Sequence, residues 1–86
     1  MTLTSAEMTA VVNRIKRAQG QLAGVLRMIE EGRDIESVVN QLKAVSRAVD
    51  RAGFAIIATE LRRRVEEGDV TEEAIEQLER YFLSLG

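Results

Sequence analysis

The side chains in this sequence best placed to do chemistry are its cations, and the chemistry they offer is anion binding. Arg14, Lys16 and Arg17 cluster tightly. On a helix Arg14 and Arg17, three apart, share a face while Lys16 points elsewhere. Lys43, Arg47 and Arg51 follow at intervals of four and draw a basic stripe along a helix. Such a stripe can hold the phosphates of a nucleic acid. It can equally be a solvated face laced by ion pairs, Arg47 with Asp50 for instance, and the residues alone leave both readings open. No helix-turn-helix spacing, zinc finger or aromatic stacking platform accompanies it.

Most other chemistries are closed. The 86 residues include no cysteine and no histidine, which removes disulfides, thiol nucleophiles, imidazole bases and the usual zinc sites. The carboxylates are mostly helix-surface glutamates with cationic neighbours, and no acid–base pair converges, so no enzymatic activity and no cofactor is expected. The net charge of −2 is unevenly spread. Residues 1–65 hold 11 Lys/Arg against 7 Asp/Glu, whereas residues 66–86 hold one Arg against 7 acids. A mildly basic body with an acidic end is compatible with nucleic-acid binding. The opening MTLTSAEM carries no signal pattern and no apolar run approaches the roughly 20 residues that span a bilayer. The expectation is a cytoplasmic protein without membrane association.

Three helices must position these residues, with 1–86 read as a single domain of the all-α class. The first is expected from Thr4 or Ser5, where Thr4-x-x-Glu7 has capping-box spacing, to about Glu31. Met8, Ile15, Leu22 and Ile29 are one heptad apart, and with Val11 or Val12, Ala18 and Val25 or Leu26 between them they give it an apolar seam. Gly20 and Gly24 share a face on which another backbone could approach closely. Gly32 ends this helix, and Asp34 is the natural N-cap of the next. That second helix runs from 35 to about 66, near 48 Å at roughly 1.5 Å per residue. A short third helix is capped by Asp69 or Thr71 and buries Ile75, Leu78 and Phe82. Two long helices and one short one cannot cover their own apolar surface, so an obligate oligomer is expected.

The run from Asn13 to Glu30, NRIKRAQGQLAGVLRMIE, resembles the opening helix of the CsoR/RcnR/FrmR family of metal- and formaldehyde-sensitive bacterial repressors. The likeness continues at Arg33, Val38, Gln41-Leu42, Ala44-Val45, Leu61, Val65 and Ala74 to Leu78. It implies a three-helix protomer whose dimer is an antiparallel four-helix bundle, with two dimers pairing into a flat tetramer. It implies a repressor that binds double-stranded operator DNA through a basic face of the first two helices, largely by shape and backbone contacts. Arg14 and Arg51 match arginines implicated in that face, with Lys16 and Arg17 nearby, and this favours the DNA reading of Lys43, Arg47 and Arg51 as well.

The departure from the family is as informative. Its sensors use a cysteine near the start of the second helix, and copper sensors add a His and a Cys four residues apart in the other protomer. Those positions hold Ile35, Glu60 and Arg64 here, and the outer positions of the copper site hold Asp34 and Gln77. Soft Cu(I) needs thiolate or imidazole, and electrophile sensing needs the thiol. The chain is therefore expected to sense neither copper nor thiol-reactive effectors. Glu60 and Arg64, acid first at i,i+4, are expected to form an ion pair. Ile35 would arrive over it from the partner. Whether that pair locks one conformational state is left open, as is an anion held by Arg62, Arg63 and Arg64. The alternative to a repressor is a subunit that has lost DNA binding and forms mixed oligomers with a sensing relative.

Overall fold

The computed structural model describes residues 8–85, which form three α-helices and no strand. Helix α1 spans Thr9–Glu30, α2 spans Ile35–Glu66 and α3 spans Glu72–Ser84. The capping box at Thr4 and Glu7 lies outside the described residues. The other boundaries follow from local chemistry. Gly32 has φ +71°, and its N–H donates to the Ile29 carbonyl (3.1 Å) while Arg33 N–H donates to Met28 (3.0 Å). Gly68 repeats this αL stop at the end of α2, where Asp69 N–H reaches the Arg64 carbonyl at 2.8 Å. Asp34 accepts from the Ser37 N–H at 3.0 Å and so caps α2. Of the two candidates for α3, Thr71 is the cap, accepting from Ala74 N–H at 3.1 Å.

The short turn at Gly32 folds α1 back on α2 as an antiparallel hairpin, and α3 returns along the far end of α2. The Cα trace measures 53 × 25 × 13 Å, a slab one helix thick. Among the described residues no large side chain is fully buried. The accessible surface is 6339 Å². A compact monomer of this mass would expose roughly 5,100 Å².

Only part of each expected apolar seam is buried within the protomer. Val11, Ala18 and Val25 of α1 face Val45 and Ala52 of α2, with Met8 tucked in at the end. The bulkier line beside it stays open: Ile15 is 43% exposed, Leu22 47% and Ile29 58%. On α2, Leu42, Val49 and Val65 are likewise exposed. The reason is steric: small residues let two helices approach closely, so the hairpin closes on its alanines and valines and leaves Leu and Ile outside. On α3 Leu78 is buried as expected, but its companion is Ala74; Ile75 and Phe82 are exposed. Phe82 still packs its ring against Phe54, centroids 5.1 Å apart.

The close approach expected at Gly20 and Gly24 does not occur within the protomer. A Cβ on Gly20 would meet nothing within 4 Å, and one on Gly24 only the Arg27 guanidinium at 3.7 Å. The tight glycine is Gly53, where a Cβ would lie 2.9 Å from a methyl of Leu85 beyond the end of α3. Gly20→Ala is therefore expected to stabilise the protein by about 1 kcal/mol through helix propensity. Urea unfolding at fixed protein concentration measures this, and a loss of stability would reveal another chain seated on Gly20.

Candidate nucleic-acid interface

Antiparallel pairing of α1 and α2 places Arg14 and Arg17 across from Arg47 and Arg51. The four arginines, with Gln21, Ala44 and Ala48, line one open groove of about 290 Å³. The concavity comes from the alanines, whose short side chains leave space between longer guanidinium arms. Spacing explains the rest: Arg14, Arg17 and Gln21 recur at three and four residues on α1, as do Ala44, Arg47, Ala48 and Arg51 on α2. Lys16 and Lys43 are exposed on the same helices but do not line the groove.

None of the four arginines makes an ion pair among the described residues, and the pairing of Arg47 with Asp50 is not formed. Four like charges around one groove repel one another, and an anion placed among them relieves that repulsion. Gln21 adds a second unsatisfied feature: its Oε1 is buried and has no hydrogen-bond partner.

A second cluster occupies the C-terminal half of α2. Glu60 is only 3% exposed and is the one buried charged residue among the described ones. Arg64 Nε donates to its Oε1 at 3.1 Å, so the expected i,i+4 pair is present. Arg63 is the larger partner and was not foreseen: its Nε donates to Glu60 Oε2 at 3.1 Å, and a terminal nitrogen holds Oε1. The signal was legible as Glu60-x-x-Arg63-Arg64, which puts one arginine at i+3 and another at i+4. Arg63 continues to Glu67 (3.2 Å) and Arg64 to Asp69 (3.5 Å). Arg63 and Arg64 are thus engaged by carboxylates, while Arg62 lines a cleft that it shares with Arg63, Ala10, Thr59 and Glu66.

The remaining sensor positions scatter. Gln77 lines a cleft with Arg64, Asp69 and Arg80, and its amide N–H donates to Tyr81 Oη at 3.2 Å. Asp34 is occupied in capping α2. Ile35 is 81% exposed at the opposite end of α2 from Glu60. The two are about 37 Å apart at roughly 1.5 Å per residue, so they can meet only between protomers.

This donor set does not fit a metal. Glu60 spends both oxygens on arginine N–H groups, and the two guanidinium groups beside it would repel a cation. Among the described residues no group of three His, Cys, Asp or Glu stands close enough to hold one.

The arginines hold the Glu60 carboxyl below the ordinary glutamate range, first through the Arg63 hydrogen bonds, against burial, which pushes it up. Asp34 is lowered by the Ser37 N–H. In both cases the folded value lies under the unfolded one. Their stabilisation is therefore complete above the ordinary carboxylate range and is lost as pH falls through the depressed values. Glu60→Gln should flatten the acid-unfolding curve between about pH 5 and pH 2. Unfolding followed by circular dichroism checks this, and an unchanged curve would mean the network contributes nothing to acid stability.

A copper-sensing transcriptional repressor CsoR from Mycobacterium ulcerans (strain Agy99) is 36% identical over 52 residues, 60% of this chain and 44% of that protein. The aligned stretch is thus less than half the length of that relative. No solved structure matches. The model of the metal-sensitive transcriptional repressor family matches residues 7–84, nearly the whole chain, so the protein belongs to that family although it carries no thiol or imidazole ligand.

Proposed function

We propose that the protein is a transcriptional repressor that binds double-stranded operator DNA as a homo-oligomer and responds to neither copper nor thiol-reactive effectors. The observation that carries this is the groove of Arg14, Arg17, Arg47 and Arg51, four cations without a carboxylate partner among the described residues. Lys43, four residues before Arg47, extends the basic stripe along α2, and Lys16 adds an exposed cation on another face of α1. Phosphate contacts from such a surface position a protein on duplex DNA, and operator choice then rests on the shape and flexibility of the sequence.

Assembly follows from the open apolar lines. Ile15, Leu22 and Ile29 on α1 with Leu42 and Val49 on α2 supply the core of an antiparallel four-helix dimer. Phe54, Leu61 and Phe82 leave apolar surface for a second pairing, into a tetramer. In that assembly the Glu60–Arg63–Arg64 cluster stands where the family holds its effector. It ties α2 to the turn before α3 by internal ion pairs and so favours one arrangement constitutively. None of the described helices is long and apolar enough to cross a membrane, in keeping with a regulator working in the cytoplasm.

The test is recovery of fragmented genomic DNA on the purified protein at about 100 mM and again at about 300 mM salt. Discrete sites retained at the lower salt and lost at the higher are expected. Arg47→Ala and Arg51→Ala should each weaken binding and reduce the salt slope by about 0.9 for every phosphate contact removed. A protein that enriches no DNA, yet co-purifies with a cysteine-bearing relative, would instead be the partner subunit of a mixed oligomer.

A further inference from the structure

The α1–α2 groove gathers more positive charge than a duplex can use. Four arginines line it, and among the described residues no carboxylate does. Arg14 and Arg17 are three residues apart and Arg47 and Arg51 four apart, so the cluster is about 6 Å long at roughly 1.5 Å per residue. A DNA strand carries one charge per about 3.4 Å of helix axis, and a patch this short meets about two of its phosphates. Part of the mutual repulsion of the arginines then goes unrelieved. Linked phosphates put more charge into the same length. Shape favours them too: Ala44 and Ala48 sink the floor below the arginine arms, and the groove, about 290 Å³, is near the lower end of small-ligand sites, roughly 300–1,000 Å³. The lining holds no aromatic ring to stack a base and no apolar side chain larger than alanine. Its ligand is therefore recognised by charge alone.

We propose that the α1–α2 groove binds a condensed phosphate chain of the size of tripolyphosphate, its charged oxygens shared among Arg14, Arg17, Arg47 and Arg51, in competition with DNA. The chain lies between the two helices with arginines on either side, where a convex duplex rests on the rim. Other clefts are unsuited to a polyanion, since the one at Arg64 and Arg80 includes Asp69 and Glu73, and the one at Arg62 includes Glu66. Only the competition rests on the DNA-binding reading; binding of the phosphate chain stands apart from it.

The test titrates the intact protein with tripolyphosphate, ATP, orthophosphate and sulfate at matched, low ionic strength, reading heat by calorimetry and release of labelled duplex by anisotropy. Tripolyphosphate is expected to bind about 100-fold more tightly than orthophosphate, roughly tenfold for each added phosphate held by an arginine. ATP should bind no more tightly than tripolyphosphate; a clear preference for ATP would mean that a base is held and would overturn the assignment. Arg47→Ala should cost about tenfold, whereas Arg27→Ala, which removes an exposed charge of α1 outside the groove, should cost nothing measurable. Equal losses from the two would reduce the binding to general attraction and overturn the site. Ala48→Leu fills the floor without changing charge, and should weaken tripolyphosphate at unchanged helical ellipticity; undiminished binding would place the chain outside the groove. Tripolyphosphate should release duplex at concentrations where orthophosphate does not, and duplex retained at saturation would remove the competition. Tripolyphosphate no tighter than orthophosphate, with duplex still held, would overturn the proposal and leave the DNA reading standing. Tight tripolyphosphate binding by a protein that holds no duplex would support the site and remove the DNA reading.

Discussion

Leu22→Glu is expected to convert the protein into a largely unfolded monomer. Leu22 sits mid-way along α1, flanked two turns away on each side by Ile15 and Ile29, and all three face outward from the hairpin. In a two-fold dimer the substitution enters twice, because the same patch serves both partners. Each copy loses the burial of a leucine, worth about 1.5–3 kcal/mol, and introduces a carboxylate with no partner, costing several more. The dissociation constant should rise by more than about 1,000-fold. Sedimentation velocity should then show the monomer, and circular dichroism a fall in helical signal on dilution. Arg27→Glu, an exposed change on the far side of α1, should leave assembly intact. If Leu22→Glu sediments like the parent, the outer apolar line is not the dimer seam.

Glu60→Ala is the second large effect. The substitution removes the acceptor shared by Arg63 and Arg64 and strands two partly buried guanidinium groups next to each other on one helix. Breaking a buried pair from one side costs about 3–5 kcal/mol when the remaining charge cannot escape. Here Arg63 can turn fully to Glu67 and Arg64 to Asp69, so about 2 kcal/mol is expected. Arg64→Ala is the informative contrast. It leaves Glu60 held by the bidentate Arg63, and should cost little stability while cutting the tie between α2 and Asp69. A change in DNA affinity or assembly from Arg64→Ala, at nearly unchanged unfolding free energy, would show that the cluster sets the conformational state. No change in any of the three would reduce it to a local ion pair.

Helix ends were the most legible part of the sequence because their chemistry is local. Gly32 and Asp34 each act within four residues of themselves, so composition and spacing were enough to place them, and for α3 they narrowed the cap to Asp69 or Thr71. The inward face of α1 was not legible. Met8-Ile15-Leu22-Ile29 and Val11-Ala18-Val25 are adjacent lines on one apolar stripe, and a 3.6-residue period does not say which meets α2. That choice depends on how closely two helices approach, which is a property of the pair. The same limit applies to α3, where Ala74 displaced Ile75 from the inward face. Of the basic residues, Arg14, Arg17, Arg47 and Arg51 could be assigned to helix faces, but their convergence on one groove required the antiparallel register. Gln21 carried no signal at all, since an amide on a helix reads as solvated until its surroundings are known.

A slab only 13 Å deep has a thin interior, and in the proposed dimer this would tie the protein's persistence to its abundance. Where folding is completed by association, each tenfold dilution removes about 1.4 kcal/mol per dimer from the apparent stability. In the proposed dimer, chains below some copy number would be largely single, with their apolar lines open to proteases, and above it they would be paired and protected.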